Sequence, residues 1–325
     1  MNDSSSGAEQ VRVFLAGATG AIGHALVPKL VKAGYQVTAM TRSPAKVDML
    51  GAAGADPVVC DVFDRDGLRA AVQDAQPKVI INQLTRLPKS GLKPRKLGRY
   101  YEDNNRVRRE GTQNLLDAAR EVGATRFIGQ SIAFWYDPQG DPIKDEQARL
   151  WLSAPAPIGE AAKALEESER ALMRADFLDG IVLRYGVFYG PGTWYSPSGE
   201  IGQQMCKRQY PNIGAGQGIT SFIHVDDAAD VCVAFVESGR PGVYNVVDDE
   251  PATANEWMPE FAKAVGAKPP RRVPAGLAKV IAGKGLVEWT TTARGASNAK
   301  VKRELGWQPI YPSWRQGFAS GLGDS

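Results

Sequence analysis

Val11-Arg12-Val13-Phe14-Leu15-Ala16-Gly17-Ala18-Thr19-Gly20-Ala21-Ile22-Gly23 sets the architecture of this chain. The apolar run Val11–Ala16 reads as a buried strand, and Ala21–Ala33 has helical periodicity up to Gly34. The three glycines between and within them have separate tasks. Gly17 permits a tight turn off the strand, Gly20 lets backbone approach a pyrophosphate, and Gly23 lets the helix pack closely on the sheet. Thr19, Ala21 and Ile22 complete the loop, and the helix start offers unpaired N–H groups and a partial positive charge to phosphate. A second strand, Gln36–Thr41, closes a unit of roughly 30 residues, the span expected of a dinucleotide-binding βαβ unit.

Further along, strand and helix signals alternate. Ser43-Pro44 starts a helix with proline at its first position. Pro57–Cys60 reads as a strand, Arg65–Ala75 as a helix, Val79–Asn82 as a strand and Arg86–Arg99 as a loop. Then come a long helix over Tyr100–Val122, a strand at Arg126–Ser131, a helix at Ile158–Asp176 and a strand at Ile181–Tyr185. Near-continuous apolar strands separated by helices predict an α/β protein: a Rossmann-type, doubly wound parallel sheet with right-handed crossovers. After Gly186 the rhythm changes, and Tyr189–Gly218 is dense in Gly, Pro, Ser and aromatics. Helix signals return at Asp226–Glu237, Ala254–Val265 and Ser297–Leu305, with a strand at Gly242–Val247. The expected organisation is a flexible N-terminus over residues 1–10, a Rossmann dinucleotide-binding portion over 11–186, and a smaller C-terminal substrate-binding lobe over 187–325. That lobe lends one strand near 242–247 to the sheet.

The 325 residues are 43% apolar and 23% charged, ample for a packed core, and a net charge of +3 is too mild to indicate a nucleic-acid partner. Lys89 to Arg109 is locally basic, which fits either a solvated loop and helix face or a rim that recognises phosphate or carboxylate. The three cysteines, Cys60, Cys206 and Cys232, form no paired motif, which suits a reducing cytoplasm, and Cys60 and Cys232 sit in apolar runs as small core residues. The polar N-terminus shows no signal segment, and no run reaches the roughly 20 apolar residues of a membrane span. With only His24 and His224, far apart in the chain, no histidine-rich metal site is expected.

The end of the second strand selects the cofactor. Ala39-Met40-Thr41-Arg42-Ser43 lacks the carboxylate that holds the ribose hydroxyls of NAD. Arg42 offers a charge-assisted fork to a 2′-phosphate and Ser43 adds a hydroxyl, so NADP(H) is expected ahead of NAD(H). Asp61, after the third strand, reads equally as acceptor for the adenine amino group or as a helix N-cap.

These landmarks, with Gly111-Thr112-Gln113-Asn114-Leu115-Leu116-Asp117-Ala118-Ala119, Arg184-Tyr185-Gly186-Val187-Phe188-Tyr189-Gly190-Pro191-Gly192, Phe222-Ile223-His224-Val225-Asp226-Asp227 and Arg303-Glu304-Leu305-Gly306-Trp307-Gln308-Pro309, resemble the extended or atypical short-chain dehydrogenase/reductases of the NAD-dependent epimerase/dehydratase group. The resemblance covers about Val11 to Phe318. It implies a catalytic Ser, Tyr and Lys with a supporting Asn. Ser131 matches the serine and Lys163 the lysine, which would also grip the nicotinamide ribose. The Tyr position falls on Gly159 and the Asn position on Arg108, so two of the four members depart. Tyr136, in the loop after Ser131, is the first choice for the missing acid, ahead of Tyr189 and Tyr195. Arg184, Tyr189, Trp194 and Tyr195 are expected at the substrate, though Arg184 fits internal pairing equally well. His224 reads as architectural. The resemblance also implies a homodimer through the helices at Tyr100–Val122 and Ile158–Asp176. The expected function is an NADP(H)-dependent oxidoreductase of a small carbonyl or alcohol. The alternatives are a catalytically impaired NADP(H)-binding regulator or scaffold, and a nucleotide-sugar epimerase or dehydratase, which needs the phenol.

Overall fold

In the computed structural model, residues 10–88, 91 and 96–323 are described. The expected flexible N-terminus, apart from Gln10, and part of the basic stretch after Pro88 lie outside the described residues. The opening unit forms as the glycine spacing dictates, with β1 (Arg12–Ala16), α1 (Ala21–Lys32) and β2 (Gln36–Thr41). Next come a 3₁₀ turn at Pro44–Lys46, α2 (Val47–Ala52), β3 (Asp56–Val59), α3 (Arg65–Ala75) and β4 (Val79–Asn82). They lead to α4 (Leu97–Arg106), α5 (Thr112–Glu121), β5 (Arg126–Ile132), a two-residue β6 (Ile143–Lys144), α6 (Ile158–Met173) and β7 (Asp179–Tyr185).

The seven-stranded sheet runs in the order Gly242–Val246, β7, β5, β4, β1, β2, β3, and every pairing is parallel. The chain builds outward from β1 to β3, crosses back to β4, and then builds the other way. The switch therefore lies between β1 and β4, and the carboxyl ends of the strands there are where such sheets form their ligand crevice. Strand alternation divides the core. Val13, Leu15, Ile81 and Leu183 face α1, where Leu26, Val27 and Leu30 meet the helix Val225–Ala234. Phe14, Ile80, Phe127 and Val182 face Leu68, Val72, Leu115 and Leu172 on the opposite layer. Cys232 and Cys60 fill the first and second layers respectively.

Two differences from the expected elements bear on the site. The long helix read over Tyr100–Val122 instead starts at Leu97 and passes through a π turn at Val107–Gly111. The extra residue in that turn lets Arg108 point into the protein. The glycine-rich stretch after Tyr189 packs into an apolar core of its own, with Tyr189, Trp257, Phe261, Trp314 and Phe318. The helices Ala275–Ala282, Lys284–Thr292 and Trp314–Ser320 are only 8, 9 and 7 residues long, too short to announce a helical period. Among the described residues, no helix is long and apolar enough to cross a membrane.

The layer between α1 and the sheet is tested by Leu26→Ala, expected to cost about 2–5 kcal/mol in urea unfolding. Leu277→Ala, at a residue 55% exposed, should shift stability by no more than about 0.5 kcal/mol. Equal effects would contradict this packing.

Candidate functional site

The turn after β1 is shaped by close backbone approaches. Gly17 has φ +95°, and a Cβ there would fall 2.7 Å from the carbonyl carbon and oxygen of Gln83. Gln83 N–H in turn donates to Ala16 O at 2.8 Å. A Cβ at Gly23 would fall 2.4 Å from the oxygens of Gly17 and Ala18. Gly20 is the N-cap of α1 in an extended conformation, and its N–H donates to Gly17 O at 3.1 Å. No side chain caps this helix and no acid sits in its first turn. Glycine-only backbone and an uncapped helix start at the switch point fit the pyrophosphate of a dinucleotide. In this loop Ile22 is buried, and Thr19 and Ala21 are half-buried.

At the end of β2, Arg42 and Ser43 are both exposed, and Ser43 N–H donates to Thr41 Oγ1 at 3.2 Å. Asp61 does not cap α3. That task belongs to Asp64, which accepts from Gly67 N–H at 3.1 Å. Asp61 instead accepts from Phe63 N–H through Oδ1 at 3.0 Å, while its Oδ2 lies 3.7 Å from Arg86 Nη2. The Arg86 and Arg106 guanidiniums lie over the Phe63 ring at 5.2 and 4.0 Å.

Beyond the loop, Ser131 belongs to a buried polar network that does not include Lys163. Ser131 is fully buried at the end of β5 and donates to Glu169 Oε1 at 2.5 Å. Arg184 grips the same carboxylate bidentately, Nε to Oε1 at 2.9 Å and Nη2 to Oε2 at 2.6 Å. Its Nη1 donates to the Tyr136 hydroxyl at 3.1 Å, and Tyr136 donates to Asn245 Oδ1 at 2.6 Å. Burial pushes the Tyr136 phenol up to about 12, against the pull of Arg184. Its proton is committed inside the protein. Arg184 is thus spent on internal pairing rather than open to a ligand.

Lys163 stands apart from this network. It lies on the exposed side of α6 and donates to Glu160 Oε1 at 2.8 Å. Six residues separate it from Glu169, which puts the two about 120° apart around the helix. The buried face of α6 presents Ile158, Ala161, Ala162 and Leu165 to Tyr101, Ile132, Ala133 and Trp135. Gly159 sits in the first helical turn, where a Cβ would fall 2.3 Å from Ala154 O and 3.1 Å from Leu152 O. A tyrosine cannot stand at 159 unless the backbone moves.

The loop aromatics are likewise committed. Tyr189 is fully buried, and Gly317 is required beside it because a Cβ there would lie 2.0 Å from the phenol oxygen. Trp194 and Tyr195 are half-buried against the C-terminal core, and the Tyr195 hydroxyl meets that of Tyr210 at 3.0 Å. Burying aromatic area outweighed opening a cleft there. His224 is architectural as expected. Its Nδ1 accepts from Asp226 N–H at 3.2 Å and its Nε2 meets Gly321 O at 2.7 Å. Glu169 was missed by sequence reasoning, although a signal existed, since it continues the apolar row Ile158, Ala162, Leu165 at helical spacing.

A family model described as the NAD dependent epimerase/dehydratase family matches residues 13–246. A Streptomyces sp. protein named 3-diazoavenalumate denitrifying reductase is 44% identical over 310 residues, covering 95% of this chain and 99% of its own. Among solved structures, UDP-glucose 4-epimerase from Thermotoga maritima, determined with UDP-glucose, aligns with a TM-score of 0.75 at 21% identity, over 95% of this chain and 97% of its own. A human epimerase family protein determined with NADPH aligns with a TM-score of 0.74 at 20% identity, over 96% of this chain and 99% of its own. At those identities the structures speak for the shared fold.

Glu169→Gln would leave buried guanidinium charge without its partner and is expected to cost about 3–5 kcal/mol in chemical unfolding. Lys163→Gln breaks only a surface pair and should cost at most about 1 kcal/mol. A reversed order would contradict the placement of these two residues.

Proposed function

Because this chain belongs to the NAD dependent epimerase/dehydratase family, we propose that it is an NADP(H)-dependent reductase that removes N₂ from a small carboxylate whose diazo group is carried as an aryl diazonium. The observation that carries this reading is the buried face of α6. From Ile158 to Leu165 that face carries no group able to give a proton, and the one phenol packed against it, Tyr101, is buried and held well above its ordinary pKa by that burial. Hydride addition to a carbonyl generates an alkoxide and calls for such a group. Hydride addition to a diazonium does not, because the arriving electron pair makes the new bond to hydrogen while the bond to nitrogen breaks and N₂ departs. The name of the Streptomyces relative describes a diazo compound and a denitrifying reduction, and it supports the same chemistry here.

Gly17, Thr19, Gly20, Ala21, Ile22 and Gly23 would hold the pyrophosphate, Arg42 and Ser43 the 2′-phosphate, and Asp61 the adenine amino group. The cofactor supplies one hydride when bound. Ile132, Ile158 and Ala162, buried together, would exclude water from the reacting carbon. That matters because water would capture a diazonium before hydride reached it. Ser131 and Tyr136 act as positioning residues through Glu169 and Arg184 rather than as acids.

Two measurements test this. Calorimetric titration should show NADPH binding more tightly than NADH, and Arg42→Ala should lower NADPH affinity by about tenfold or more, equivalent to about 1.4 kcal/mol, with NADH little changed. An aryl diazonium carboxylate should consume one NADPH for each N₂ released. Reduction of ketones with no turnover of the diazonium would overturn the reading.

A further inference from the structure

Arg108 carries a buried positive charge that no ion pair among the described residues neutralises. It projects from the π turn at Val107–Gly111 and is 7% exposed. Of its five N–H donors, the fold engages Nη1 with Gln130 O at 3.3 Å, and its Nε is buried without a partner. Glu169 lies near enough to favour the charge, yet burial dominates and pulls the guanidinium down to about 10. Both oxygens of Glu169 are already taken by Ser131 and Arg184. Two guanidiniums therefore share one carboxylate, and a positive charge is left over in the interior. Among the described residues, Arg108 forms no ion pair of its own. A buried charge without a partner is expensive unless a ligand supplies the opposite charge.

The surroundings indicate the shape of that ligand. Arg108 reaches the carboxyl end of β5, the side of the sheet where α/β folds bind ligands. Above it lies the cluster of Tyr101, Trp135, Ile132 and Ile158, in which the Tyr101 and Trp135 rings meet edge to face at 5.4 Å.

We propose that Arg108 anchors the carboxylate of an aromatic acid substrate, whose ring packs against Tyr101 and Trp135. The proposal rests on the reductase reading for its reaction but stands on Arg108 for its chemistry. Guanidinium and carboxylate match as a fork, and the residue needs that partner in the absence of another.

The test compares 4-hydroxybenzoate with 4-hydroxybenzamide by calorimetry on the full chain, with and without NADP⁺. The acid should bind at least about tenfold more tightly than the amide. In Arg108→Gln that preference should vanish. Equal binding of the two probes to the unmodified protein, or no binding of either, overturns the proposal, and this arm does not require the variant to fold. A preference for the acid that persists in a folded Arg108→Gln also overturns it. If the acid preference depends on Arg108 but no pyridine nucleotide binds, the carboxylate site stands and the reductase reading falls. If NADPH binds and the acid does not, the reverse holds.

Discussion

The backbone of Gly17 lies so close to the carbonyl of Gln83 that no other residue fits, since a Cβ would fall 2.7 Å from it. This contact joins the end of β1 to the loop after β4, across the point where strand order reverses. It holds the turn open and starts α1 with its N–H groups uncovered. Every later inference about phosphate, cofactor and hydride depends on that geometry. The same crowding recurs at Gly23, which lets α1 lie directly on the loop carbonyls.

A second constraint governs the opposite side of the crevice. Glu169 is the shared carboxylate of Ser131 and Arg184, and through Arg184 it also fixes Tyr136. The network locks the ends of β5 and β7 to α6. It also removes from chemistry the hydroxyls that looked available. The face that α6 turns to the cluster around Tyr101 is hydrocarbon, and Arg108 carries a buried Nε without a partner. An apolar, water-poor site with a single cation suits an anionic substrate whose reduction needs no proton delivered by the protein.

The parts of this structure that were legible in the sequence are the local ones. The glycine loop, the apolar strands and their order as a doubly wound sheet follow from patterns within about 30 residues. The network was not legible, because Ser131 and Arg184 meet Glu169 from 38 and 15 residues away. Lys163 illustrates the limit. Its spacing from Gly159 matches a motif, while the side of α6 it occupies is set by packing, which leaves Lys163 on the exposed side with Glu160. Likewise, the aromatics after Tyr189 suggested a pocket by composition, whereas partners from Trp257 to Phe318 turn them into a core. The π turn had no sequence signature, and it is what brings Arg108 inward.

The central claim is that this crevice transfers hydride without protein-delivered protonation. Its most direct test follows the label when an aryl diazonium carboxylate is reduced in ordinary water with NADPH deuterated at C4 on the transferred side. The account predicts one deuterium at the carbon that carried nitrogen, and a rate unchanged when the solvent is D₂O. Hydrogen from solvent at that carbon, or a rate that slows in D₂O, would contradict it.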